Sequence, residues 1–316
     1  MSAPKILALS GGIGGAKLAL GLYRVLSAGE LTLVVNSGDD FEHLGLTICP
    51  DLDTTLYTLA GLANPELGWG RRDETWTFMK TLESLGGESW FRLGDGDLAL
   101  HVERTRRLKA GETLSAVIAA VAARLGIQAT ILPMSDDPVR TRVATDAGEL
   151  AFQDYFVRLR CAPQVRALRF AGAAAAAVAP GALAALAAPQ LEAIILCPSN
   201  PYLSVDPILA VPGMRAALRS SGAPVIAVTP LVGGEAIKGP TAKIMRELGL
   251  APSPLTIAHH YAGLIDGFVL DARDSALAPQ FALPVHVTDT VMVALTDRER
   301  LAREALSFAA RLGRRA

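Results

Sequence analysis

Cysteine is scarce and scattered. The three present, Cys49, Cys161 and Cys197, form no CxxC pair, which argues against a disulfide framework or a cysteine zinc site and points to a reducing, cytoplasmic setting. Net charge is nearly absent as well, at −1. Such a chain exerts no general pull on nucleic acid or anionic lipid, so any phosphate it binds must be bound locally. Long apolar runs are also missing. The stretch 171–189 is mostly alanine and is broken by Pro180 and Gly181, whereas a transmembrane helix needs about 20 predominantly apolar residues. The run Ile6–Leu9 is too short for the apolar region of a signal peptide. Neither a nucleic-acid nor a membrane partner is expected.

Hydrophobic residues, by contrast, make up 51% of 316 positions, enough for one large core with a smaller appended region. Short apolar runs alternate with amphipathic stretches. The runs at Lys5–Leu9, Leu31–Val35, Ala129–Leu132, Ala193–Leu196, Val225–Val228, Gly267–Leu270 and Val285–Val287 predict strands. Helices are predicted at Ala16–Leu26, Leu52–Ala63, Glu74–Leu85, Leu114–Leu125, Gly213–Ser220, Thr241–Leu248 and Asp297–Arg311, the last capped by Thr296. This alternation predicts an α/β fold, a Rossmann-like three-layer structure with a parallel sheet. The core would span 1–151 and 190–316, with 152–189 as an Ala-rich, partly helical cap. Ligands of such sheets bind at the carboxyl ends of the strands.

The loops at those ends are therefore the informative ones. After the first strand comes SGGIGGAK, Ser10–Lys17. Closely spaced glycines let backbone N–H groups approach a phosphate at a helix N-terminus. GxGxxG would need glycine where Lys17 stands, and a P-loop would need Lys directly after Gly and then Ser or Thr, so neither familiar pattern applies. After the second strand comes NSGDD, Asn36–Asp40, whose paired carboxylates suit either a divalent cation or a solvated turn. PDLDT, Pro50–Thr54, sets Asp51 and Asp53 at a helix start, where carboxylates also complement the dipole. RLGDGDLALH, Arg92–His101, and LPMSDDP, Leu132–Pro138, add further acidic loops. CPSNPYLSVDP, Cys197–Pro207, offers Ser199 and Asn200 for phosphate or ribose, or simply an Asx-turn. His259 and His260 are neighbours on a helix and do not share a face, which leaves them structural.

Together, GGIGGAK, VVNSGDD, CPDLDTTLYTLAG, GWGRRDETW, RLGDGDLALH, ILPMSDDPV, CPSNPYLSVDPIL and VPGMRAALR resemble the 2-phospho-L-lactate transferase (CofD) family over roughly Lys5 to Asp274. The resemblance implies a transferase of coenzyme F(420) biosynthesis. The ribityl hydroxyl of the deazaflavin Fo would attack the β-phosphorus of a guanosine diphosphate carrying a phospholactyl, phosphoenolpyruvyl or phosphoglyceryl group, and GMP would leave. It implies further that Gly11, Gly12, Gly14, Gly15 and Lys17 hold the diphosphate, that Ser199 and Asn200 bind the nucleotide, and that Asp53 and Arg92 contact Fo. Asp40 and Asp53 are the expected catalytic carboxylates and Mg2+ ligands, with Asp39 and Asp51 in reserve, and a homodimer is expected. On this reading Asp53→Asn should reduce rate far more than stability. The rival is a non-enzymatic nucleotide-sugar-binding regulator of the YvcK-like type. It shares the glycine loop and the paired Asp but departs at PDLDT, which disfavours it here.

Overall fold

The computed structural model describes residues 5–65, 69–237 and 239–314. Gly68, which opens the GWGRRDETW motif, lies outside them. Seven strands form the main sheet: β1 (Ile6–Ser10), β2 (Leu31–Val35), β3 (Thr130–Pro133), β4 (Ala193–Leu196), β5 (Val225–Val228), β6 (Gly267–Asp271) and β7 (Val285–Thr288). All neighbours pair in parallel, in the order β3-β2-β1-β4-β5-β6-β7. Each of the seven apolar runs of the sequence is one of these strands.

Five of the strands, β1, β2, β4, β5 and β6, are buried at every residue, as expected of a sheet covered on both faces. Alternate side chains feed two cores. Ile6 and Ala8 pack with helix α1 (Gly12–Val25), helix α2 (Pro50–Leu59) and the C-terminal helix Leu295–Leu312, while Leu7 and Leu9 join the core on the opposite face. Each fully buried aliphatic side chain contributes roughly 1.5–3 kcal/mol, so the strand interiors dominate stability.

The strand order reverses between β1 and β4. The loops leaving these two strands run to opposite faces of the sheet and open a crevice between them. Two smaller units flank it. One is the hairpin Phe41–His43/Leu46–Ile48 with α3 (Thr77–Ser84) and α4 (Asp95–Lys109), sharing a small core of Ile48, Met79 and Leu93. The other is an antiparallel sheet of Arg140–Thr145, Gly148–Ala151 and Val165–Ala171.

The second unit divides the chain differently from the sequence reading. It begins at Arg140, where RTRVAT alternates buried and half-buried residues, so it does not coincide with 152–189. The alanine-rich helix Pro180–Leu186 belongs instead to the main core, burying Ala182, Ala185 and Leu186. Small side chains there let the helix lie close to the sheet, and Ala179 N–H bonds the Met134 carbonyl at 3.1 Å. Thr296 is not a cap. The C-terminal helix starts at Leu295, and the Asp297 carboxylate accepts from Val293 N–H at 3.0 Å and Ala294 N–H at 2.7 Å.

Candidate active site

The crevice is a cavity of about 700 Å³ at the carboxyl ends of the strands. Its floor is the β1–α1 loop. Gly12 has φ +64°, and a Cβ at Gly14 would fall 2.4 Å from the Pro198 carbonyl. The first glycine thus allows a left-handed turn, and the second lets the loop after β4 close onto α1. Gly11 N–H bonds Ser199 Oγ at 3.0 Å, and Gly12 N–H bonds Asp51 Oδ1 at 2.8 Å. Gly15 lies behind this floor, its α-carbon facing the hydroxyls of Ser199 and Ser10. Lys17 lines the cavity and donates to the Met292 carbonyl at 2.8 Å.

Among the described residues two carboxylates, Asp39 and Asp51, reach the cavity. Asp51 also accepts from Asn36 Nδ2 at 2.9 Å, and Asn36 Oδ1 in turn accepts from Gly38 N–H at 2.8 Å, which shapes the turn carrying Asp39. Asp39 Oδ1 is buried without a hydrogen-bond partner. Burial, and then the neighbouring Asp51 charge, push the Asp39 carboxyl well above the usual carboxylate range. Burial raises Asp51 too, against the bonds from Asn36 and Gly12. Two buried, mutually repelling carboxylates, one with an unpaired oxygen, are a fitting donor set for a hard divalent cation.

Asp40 and Asp53, expected in these positions, do not line the cavity. Asp40 turns to the opposite side of the same loop, where burial pushes it up to about 7 although Arg140 opposes the shift. Asp53 stands two residues beyond Asp51 on α2, which is a rotation of about 200° about the helix axis. Its carboxylate is taken by Arg104 of α4 through both terminal nitrogens. Arg104 is fully buried and also donates to the Thr47 carbonyl at 3.2 Å. Burial works against its charge, but Asp53 outweighs this and holds the guanidinium above its ordinary value. His101 lies 3.7 Å from Asp53 and 3.2 Å from Asp97, which also accepts from Tyr57 Oη at 2.6 Å. Asp53, Asp97 and His101 are spaced closely enough to hold a metal, but this cluster already contains its cation in Arg104.

The other acidic loops also do structural work. Asp95 receives the N–H groups of Thr77 and Phe78 at the start of α3, and α4 begins at Asp95, inside the stretch read as a loop. Asp136 and Asp137 accept from Ser115 and Ala177 N–H. His260 pairs with Asp206 at 2.8 Å, outside the cavity lining.

Ser199 and Asn200 line the cavity, as does Arg92. Asn200 Oδ1 accepts from Tyr202 and Leu203 N–H, the Asx-turn the sequence allowed, while its Nδ2 is buried without a partner. Arg92 lies over the Trp76 ring at 4.2 Å. The sequence reading missed Ser204, whose Cβ faces Gly11, and missed the aromatic wall of Trp69, Trp90, Phe91, Phe152 and Phe156. A signal for the wall was present in the scarcity of tryptophan. Of three in the chain, two line the cavity and the third supports Arg92.

The family model for the 2-phospho-L-lactate transferase CofD matches residues 6–306. A phosphoenolpyruvate transferase of Streptomyces griseus is 40% identical over 311 residues, covering 94% of this chain and 97% of the relative. One from Mycolicibacterium smegmatis is 37% identical over 321 residues, covering 94% and 98%. A solved member of the UPF0052 family from Bacillus halodurans superposes with a TM-score of 0.63 at 15% identity, covering 97% of this chain and 99% of that one, a likeness of fold. Among the described residues no helix is long and apolar enough to cross a membrane. The chain belongs to the CofD family and is a transferase of coenzyme F(420) biosynthesis.

Proposed function

We propose that the protein transfers a phosphoenolpyruvyl group from its guanosine diphosphate onto the ribityl hydroxyl of Fo, releasing GMP. The observation that carries this is one cavity with two chemically distinct parts. A glycine floor with Asp39, Asp51, Ser199 and Asn200 offers amide donors and a cation site, and a wall of Trp69, Trp90, Phe91 and Phe156 offers flat apolar surface. The first suits a diphosphate, the second a fused aromatic ring. The choice of phosphoenolpyruvate over lactate follows the names of the relatives above.

In the reaction the hydroxyl oxygen forms a bond to the β-phosphorus, the bond from that phosphorus to the GMP oxygen breaks, and the hydroxyl proton passes to a cavity carboxylate. Asp39 and Asp51 would hold Mg2+, which supplies neutralisation of phosphate charge when bound. Gly12 and Asn36 fix the Asp51 carboxylate. The free Nδ2 of Asn200 is a donor for a phosphate or ribose oxygen. The aromatic wall orients the acceptor and keeps water from competing with its hydroxyl.

The test is to incubate the protein with Fo, Mg2+ and each of the three guanosine diphosphate donors, and to follow the deazaflavin product by chromatography and mass. Product from the phosphoenolpyruvyl donor, dependent on the metal, is the expected result. Folded protein that binds GDP and makes no product from any donor would instead support the regulatory binding-protein reading.

A further inference from the structure

Among the described residues, three cationic side chains line the cavity: Lys17, Arg92 and Arg160. Lys17 is engaged with the Met292 carbonyl and Arg92 with the Trp76 ring. Arg160 has no ion pair, hydrogen bond or ring partner among the described residues. Its neighbour Arg158 differs, lying 4.4 Å over the Trp90 ring and 3.4 Å from Asp154.

Arg160 is also held in an unusual backbone state. Its φ is +49°, and Cys161 follows at +58°. A left-handed conformation costs a non-glycine residue roughly 1–2 kcal/mol, and glycine would remove that cost. The turn is pinned from below. Tyr155 is fully buried, its carbonyl accepts from Cys161 N–H at 2.8 Å, and Leu159 N–H bonds the Asp154 carbonyl at 2.8 Å. Phe152, Gln153, Phe156, Val157 and Arg160 recur at helical spacing and all line the cavity. Gln153 ties this face to the carboxylate floor by donating to the Asp39 carbonyl at 3.2 Å. An exposed arginine at a strained position, on the face that meets the floor, points to a task there that glycine would not do.

We propose that Arg160 is the specificity-determining residue that binds the carboxylate of the three-carbon acid on the donor. The assignment rests on the transferase reading. On that reading the donor's two phosphates would go to the glycine floor and the cation site, leaving its carboxylate without a partner. A planar guanidinium is the side chain that matches a carboxylate with two parallel hydrogen bonds.

The experiment compares affinities, without Fo, for GDP and for a GDP-linked three-carbon acid in the presence of Mg2+, by titration calorimetry. Wild type should prefer the linked acid. Arg160→Gly should weaken the linked acid by about tenfold to hundredfold and leave GDP unchanged. Its melting temperature should not fall, because glycine fits the left-handed backbone. Arg160→Lys, a point charge without the fork, should fall between the two. Equal loss for GDP and the linked acid, no loss for either, or a change confined to the KM for Fo would overturn the assignment. A wild type that shows the arginine-dependent preference yet makes no product would keep Arg160 and sink the transferase reading.

Discussion

Asp39 and Asp51 stand on one side of the N-terminal end of α2, Asp40 and Asp53 on the other, and the two pairs live in different chemistry. The first pair meets the cavity with an unpaired oxygen and mutual repulsion. Of the second, Asp53 is locked to a buried arginine, and Asp40, although its Oδ1 is also unpaired, is buried behind the loop, away from the cavity. The motifs GDD and DLD supply both pairs. One step along a turn, or two along a helix, separates a carboxylate that faces the cavity from one that does not. Acidic residues of one motif can thus fall on different sides of an element, and direction decides which of them meets the cavity.

The largest effect is expected at the rear pair. Asp53→Asn leaves Arg104 buried with its charge uncompensated and should lower stability by about 3–5 kcal/mol, read by urea denaturation. This reverses the sequence-based expectation that the substitution would reduce rate far more than stability. At the front, Asp39→Asn removes a buried charge that repels Asp51. It should leave the melting temperature unchanged or raised while turnover falls about 10²–10³-fold. A large loss of stability in that variant would show that Asp39 is scaffold.

Away from both pairs, Asp271 at the end of β6 accepts from Thr290 N–H and Oγ1 and from Arg273 N–H, and Thr290 lines the cavity. Burial alone would raise the Asp271 carboxyl, but these bonds outweigh it and hold the group below the usual range. Its stabilisation is therefore fully present above the unfolded value of about 3.9 and is lost as pH falls through the lower folded value. Melting curves between neutral and acid pH should show Asp271→Asn less stable at neutral pH by about 1–3 kcal/mol, with the gap to wild type closing in acid. The smallest expected effect is at the floor. Gly12→Ala strains a left-handed turn by roughly 1–2 kcal/mol, yet the new Cβ meets only Ser204 Oγ at 3.9 Å. Stability should fall by that much, with donor KM little changed.

The seven strands of the main sheet were legible because each is a short apolar run, and in the five inner strands burial on both faces leaves an uninterrupted apolar pattern. The small antiparallel sheet was not, since RTRVAT and VRALRFA are half-exposed and carry charge. The glycine loop, Ser199 and Asn200 were legible as cavity residues from their place after strands, and Arg92 from the family resemblance. The facing of the acidic pairs was not, although the phase of α2 contained it. Leu52, Leu56 and Leu59 mark the core side, and Asp51 and Asp53 fall on either flank of that stripe. What phase could not supply was Arg104, which lies 51 residues beyond Asp53 and claims it. The aromatic wall draws on three separated segments and carries no local pattern.

The most direct test of this division is the turnover of Asp53→Asn, normalised to its folded fraction under stabilising conditions. Folded molecules of this variant should keep turnover within about an order of magnitude of wild type, since the residue acts through the scaffold. A loss of about 10²-fold or more in a variant of undiminished stability would return Asp53 to the reacting centre.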